Sequence, residues 1–356
     1  MKFGSFVLLQ CPEWKSDKEV FDEAVEQAIF SEEIGLDSIW LAEHHFSRYS
    51  LASDPMVLAA HIAAKTKRIK IGLAVAVLPF HNPVKLAEQA AMVDLLSDGR
   101  LIMGVGRGYQ RQEFERMNMD IAESRGRFEE ALEIMKLAWT KDEFSYDGRY
   151  YQVPSMSVYP LPLQKPHPPI AVATSGTRET MQWIAKQGLP FISGGAFPEM
   201  EGVRKRIDTY VEDSRAAGWS DEHIEEAVAN SPFSRRFYVA ESDEDAFERP
   251  RKHIMWFHNA LLQQGLPKTP TSAAHEAAYK EHLERMRARA KQSYEDIWAQ
   301  EIYATPEKVV TALKEHAAYG IKHLVLWFNL GGMSREMVMG SMTRFAEHVL
   351  PHVKDD

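Results

Sequence analysis

Several stretches of this chain are apolar nearly from end to end, and they limit the fold more than any other feature. Residues 71–78 read Ile-Gly-Leu-Ala-Val-Ala-Val-Leu, and 101–105, 170–173 and 324–328 show the same lack of alternation. A strand with one face in water alternates; a strand buried on both faces does not, as in parallel sheets covered by helices. Eight candidates begin near residues 2, 37, 69, 100, 169, 189, 235 and 322, and helical patterns separate most of them. Eight β-α units in one chain predict a TIM (β/α)8 barrel, which needs about 250 residues and leaves roughly 100 for insertions at the C-terminal face of the strands. The 356 residues are read as a single domain, 1–356.

Local signals place the helices between these strands. Ser16-Asp17-Lys18-Glu19 has the form of a capping box, and Phe21, Val25, Ala28 and Ile29 follow at helical spacing. Gly35 ends that helix. Asp54-Pro55, Asn82-Pro83 and Thr305-Pro306 each pair a capping residue with proline at the first helical position.

Two segments exceed what a barrel requires. Residues 144–163, rich in Tyr, Gly and Pro, suggest a hairpin or surface loop before the fifth strand. Residues 265–293 open with Gly-Leu-Pro and Thr-Pro-Thr and become charged over 281–291; they read as a helical excursion or as a mobile lid over the barrel mouth. The formal charge of −9 disfavours nucleic acid and anionic membranes as partners. The longest apolar run, 71–80, falls short of the ~20 residues of a membrane span, and no secretory leader pattern opens the chain, so a soluble, cytoplasmic protein is expected. The single cysteine, Cys11, excludes an internal disulfide and reads as a half-buried strand-end residue.

The active site of a barrel lies past the C-terminal ends of its strands. Those positions hold Glu43-His44-His45 after strand two, His81 after strand three, Gly106-Arg107-Gly108-Tyr109 after strand four and Thr174-Ser175-Gly176-Thr177 after strand five. Arg107 among glycines suits either a bidentate phosphate contact or a structural ion pair. The hydroxyl-rich turn precedes a predicted helix, where free N–H groups favour an anion, and this strengthens the phosphate reading. His44 and His45 are neighbours on an extended segment and point apart, so a shared metal ion is disfavoured. One inward histidine suits general acid–base work or a structural hydrogen bond. Phe6, Trp40, Trp256 and Trp327 suggest an apolar, partly aromatic pocket, or simply core.

The order and spacing of Ile39-Trp40-Leu41-Ala42-Glu43-His44-His45-Phe46, Leu78-Pro79 with His81-Asn82-Pro83, Ser97-Asp98-Gly99-Arg100, Glu113-Phe114, Ser124-Arg125, Gly188-Leu189-Pro190 and Thr305-Pro306-Glu307 resemble the bacterial luciferase family over nearly the whole chain. The resemblance implies a flavin-dependent monooxygenase that uses reduced FMN and O2, by way of a C4a-(hydro)peroxyflavin, to oxygenate a small, largely apolar substrate. It makes His44 the catalytic histidine and Arg107 and Arg125 the arginines on the flavin phosphate. Thr174, Ser175, Gly176 and Thr177 become the phosphate turn, and Ala74-Val75 the site of a non-prolyl cis peptide beneath the flavin ring. Phe6, Tyr109 and Trp256 would border the substrate pocket.

A separate flavin reductase is implied as reductant, since no nicotinamide fingerprint occurs, and a homodimer through helices near 54–65 and 83–96. Gly106 stands where luciferase has its reactive cysteine, which favours a dark monooxygenase over a light emitter. The family also contains deazaflavin (F420) oxidoreductases that transfer hydride, and non-catalytic flavin-binding subunits. The retained His44 speaks against the last.

Overall fold

The structure is a computed structural model and describes residues 1–193, 200–265, 280, 283–284 and 286–354. Eight parallel strands form its centre: β1 (Lys2–Val7), β2 (Ser38–Leu41), β3 (Lys70–Leu73), β4 (Leu101–Gly106), β5 (Ile170–Thr174), β6 (Phe191–Ser193), β7 (Pro232–Val239) and β8 (His323–Trp327). Each pairs with the next, β8 returns to β1, and β6 meets β7 at Phe233 opposite Ser193, so the sheet closes. This is the TIM barrel that the eight apolar runs require. Every strand begins within three residues of its expected start.

The helices start where their caps predict. Ser16 and Glu19 make both halves of a capping box. Asp54 and Asn82 each accept two backbone N–H groups, with proline following, whereas Thr305 caps without a side-chain bond. The first helix, Asp17–Glu33, is rotated from the expected stripe: Val20, Ala24 and Ala28 face the barrel and Phe21 is exposed. Small residues let the helix approach closely enough for buried Gln27 to donate to Ser5 Oγ at 2.8 Å. Cys11 is fully buried rather than half-buried, with its thiol against Asp17 and Arg48.

Glycines inside strands mark close approaches. Trp40, 1% exposed, fills the space that side chains at Gly4 and Gly72 would occupy on the two flanking strands. It is core, not pocket wall, and its indole donates to Ser38 Oγ at 2.9 Å. A Cβ at Gly104 would overlap the Leu73 carbonyl oxygen, where β3 ends and the chain passes through a cis peptide between Ala74 and Val75. The chain then pairs again with β4, Ala76 opposite Val105.

Phe144–Asp147 and Gln152–Met156 form an antiparallel hairpin before β5. Of the excursion expected over 265–293, residues 266–279, 281, 282 and 285 lie outside the described residues. Ile302–Ala304 adds a short strand to the end of β7. Among the described residues no helix is long and apolar enough to cross a membrane.

Candidate active site

Two adjacent imidazoles at the end of β2 turn to different carboxylates. His44 Nδ1 lies 3.0 Å from Glu113 Oε1, which also accepts the His45 backbone N–H at 2.8 Å. A carboxylate can only accept, so this contact places the His44 proton on Nδ1 and leaves Nε2 as the free position. Nε2 makes no hydrogen bond with a described residue. The Gln110 amide lies 3.2 Å from the same Nδ1. Glu113 comes from the short helix Arg111–Arg116 that follows β4, so the dyad ties the mouths of two strands together.

His45 instead turns its Nε2 to Glu43, 3.0 Å away, and His81 approaches the same carboxylate at 3.0 Å. Val77 N–H donates to the second oxygen at 2.8 Å. Burial pushes the Glu43 carboxyl upward, but these hydrogen bonds, with the charge of His81, hold it below its ordinary 4.5. For His81, burial opposes the charged form, and the Glu43 hydrogen bond and charge outweigh it to raise the imidazole above 6.5. Among the described residues no group of three or more His, Cys, Asp or Glu side chains is arranged to hold a metal ion.

A second arrangement lies past β4 and β5. Arg107 is exposed and makes no hydrogen bond or ion pair with a described residue. Thr174 Oγ1 accepts the Gly176 N–H at 2.9 Å, which shapes the turn through Ser175, Gly176 and Thr177 into the helix Arg178–Lys186. Gly176 has φ +87°, and a Cβ there would collide with the Arg206 guanidinium. Arg206, not singled out in the sequence, reaches the turn from the helix Met200–Ala216 and donates to Ser193 Oγ. Burial lowers its pKa. Arg125 is held by Glu129 at 2.9 Å and by Glu179 in the first turn after Thr177. A phosphate fits this set: a turn ahead of a helix N-terminus, hydroxyls, one guanidinium against the glycine and one exposed without a partner among the described residues.

Aromatic rings link β1 to His44. Phe6 stacks on Trp327 at 4.4 Å, Trp327 meets Phe257 at 5.7 Å, and Phe257 stacks on Tyr49 at 5.9 Å. Tyr49 packs edge-on to His44 at 5.0 Å, and Tyr109 does so at 6.1 Å. Trp256 is not in this row; its indole donates to Glu13 at 3.1 Å and packs near Trp14. Its neighbour Phe257 holds the place on the wall, because successive residues of a helix face about 100° apart.

Ala74 and Val75 are half-buried beside this mouth. A Cβ at Gly106 would lie 2.7 Å from Val75 Cγ2, so the valine methyl occupies the space a cysteine would need. The fold and the site together define a TIM-barrel enzyme whose functional groups gather at the C-terminal mouth. The luciferase-like monooxygenase family model matches residues 1–323.

Over 189 residues the chain is 40% identical to the uncharacterized protein y4vJ of Sinorhizobium fredii, covering 53% of this chain and 54% of that one. It is 29% identical over 363 residues to the oxygenase component of the flavin-dependent trigonelline monooxygenase of Acinetobacter baylyi, covering 99% and 95% of the two chains. The structure of monooxygenase RslO1 from Streptomyces bottropensis superposes with a TM-score of 0.84 at 27% identity, covering 99% and 100%. An F420-dependent secondary alcohol dehydrogenase shares the fold at 0.76 and 17% identity, covering 99% of each chain. The chain belongs to the luciferase-like monooxygenase family.

Two consequences follow for stability. Gly106→Cys alone overpacks the site and lowers stability by about 1–3 kcal/mol, while Gly106→Cys combined with Val75→Ala recovers most of it. Urea denaturation of the four proteins of this cycle measures the coupling, and additive effects contradict the contact. The raised His81 contributes stability below 6.5 that is lost as pH rises through its folded value; the depressed Glu43 contributes above 4.5 and is lost as pH falls through its own. His81→Gln is therefore most destabilising between those two values, and its deficit shrinks as pH rises through the folded value of His81. Thermal unfolding against pH checks this, and a deficit constant with pH contradicts it.

Proposed function

We infer that this chain is the oxygenase component of a two-component FMN-dependent monooxygenase, supplied with reduced FMN by a separate flavin reductase. The observation that carries this reading is the pairing of the Glu113-held His44 with the phosphate-shaped turn at Thr174–Thr177. Family membership and the flavin-dependent relative in Acinetobacter support it. When bound, reduced flavin supplies the two electrons with which O2 gives one oxygen atom to an organic substrate and the other to water.

The protein's own part is binding, orientation and proton management. Arg107, Arg206 and the turn hydroxyls hold the phosphate, with Arg125 behind them across Glu179. Ala74 and Val75 lie under the ring. Glu113 keeps the His44 proton on Nδ1, so Nε2 takes up or returns a proton at the reacting groups. The aromatic row from Phe6 to Tyr109 excludes water along one side and receives the apolar body of the substrate.

The chain acts as a homodimer in this reading. Val57, Met92, Leu95 and Leu96 are exposed on the helices Pro55–Lys65 and Pro83–Leu96, and a second copy covers them.

His44→Ala keeps FMN affinity within about threefold and loses roughly 100-fold or more in turnover, the scale of general acid–base catalysis. Arg107→Ala weakens FMN binding by about tenfold or more, the loss expected for a charge-assisted hydrogen bond. Flavin titration and oxygen uptake with a reductase separate these outcomes. Full turnover by His44→Ala, or hydride transfer to F420 without oxygen uptake, overturns the assignment. Leu96→Glu with Met92→Glu gives a monomer by light scattering, and a wild type already monomeric contradicts the dimer.

A further inference from the structure

A group of charges that the flavin reading does not use gathers where β7 meets the returning chain. Arg236 on β7 places its guanidinium 2.8 Å from Glu301 and over the Phe257 ring, 5.4 Å from its centre. Arg235 lies 4.0 Å from the other oxygen of Glu301, whose side chain is only 4% exposed. That carboxylate is therefore shared by two guanidinium groups. A third, Arg289, comes from the helical turn at 286–289 and is half-buried. It sits within electrostatic reach of Arg236, Glu301 and the hydroxyl ends of Tyr49 and Tyr109. Its guanidinium makes no hydrogen bond or ion pair with another described residue.

Among the described residues, His258 and the phenols of Tyr49 and Tyr109 do not neutralise this excess. Buried His258 is lowered by burial and then by the charges of Arg289 and Arg236, which favours its neutral form. Burial raises the Tyr49 phenol above its usual range and the Tyr109 phenol is raised as well, so they bring no negative charge. Among the described residues the cluster thus holds three guanidinium groups and one carboxylate. Keeping a guanidinium away from water without a partner costs free energy that a bound anion offsets. The planar fork of arginine matches a carboxylate in particular.

The aromatic row fixes where such an anion leads. Phe257, under Arg236, stacks on Tyr49, and Tyr49 packs against His44. We propose that the substrate is an organic acid whose carboxylate is held by Arg289 and Arg236, with its apolar body along Phe257 and Tyr49 toward His44. The word substrate rests on the monooxygenase reading; the anion site does not.

The test is calorimetric titration of the full chain, with and without FMN, by benzoate against benzamide and hexanoate against hexanamide. The titrations use a zwitterionic buffer and are repeated on Arg206→Ala, so that any capture of the acids by the turn at Thr174–Thr177 is told apart from binding at Arg289. At least one acid binds the wild type about tenfold or more tightly than its amide, the least a charge-assisted hydrogen bond contributes. Arg289→Gln reduces that ratio to about threefold or less with FMN affinity unchanged. Arg289→Lys, which keeps the charge without the fork, retains an intermediate ratio and shows that loss of preference is not loss of folding.

No acid preferred over its amide by the wild type, or a preference that survives in Arg289→Gln, overturns the proposal. FMN binding without acid preference removes the anion site alone. Acid preference without FMN binding removes the flavin reading and leaves the anion site standing.

Discussion

A carboxylate buried at the end of β2 holds the mouth of this barrel together. Glu43 is 2% exposed, and taking such a group out of water costs several kcal/mol unless donors surround it. Here they come from three places: His45 beside it, Val77 where the chain rejoins β4, and His81 in the loop that follows. With His45 drawn to that side, His44 is left to the other, where Glu113 receives it. The two adjacent imidazoles thus face opposite ways, each fixed by its own carboxylate.

Steric constraint completes what the hydrogen bonds begin. Gly104 lets β4 approach the Leu73 carbonyl, and Gly106 leaves room for the Val75 methyl. Position 106 is thus packed by Val75, from the link between the end of β3 and Ala76.

Much of this was legible in the sequence because the strands carry it redundantly. Runs buried on both faces give period, count and spacing at once, so all eight strands could be placed from residue type alone. That His44, Arg107 and the turn at Thr174–Thr177 lie past strand ends was legible because the strands themselves were, while the choice of His44 over His45 came from the family resemblance. Glu113 stood in the sequence as a fragment without a role, because only folding brings a helix after β4 against the end of β2. Arg206 and Arg289 could not be told from the basic residues beside them, Arg204 and Lys205 in the one stretch and Arg287 and Lys291 in the other, because only folding shows which side chain approaches the site. The stripe of the first helix was misplaced by about one residue, because a small, partly polar face that packs closely is quieter than a neighbouring Phe21.

The site rests on one claim: that the mouth of the barrel recognises a flavin by its phosphate and presents it to His44. Anaerobic equilibrium binding of reduced FMN against reduced riboflavin, which lacks only that phosphate, tests it most directly, with Arg206→Ala measured beside the wild type. FMN is expected to bind about tenfold or more tightly than riboflavin, and Arg206→Ala to remove most of the difference. Equal binding of the two flavins, or a preference untouched by Arg206→Ala, contradicts it.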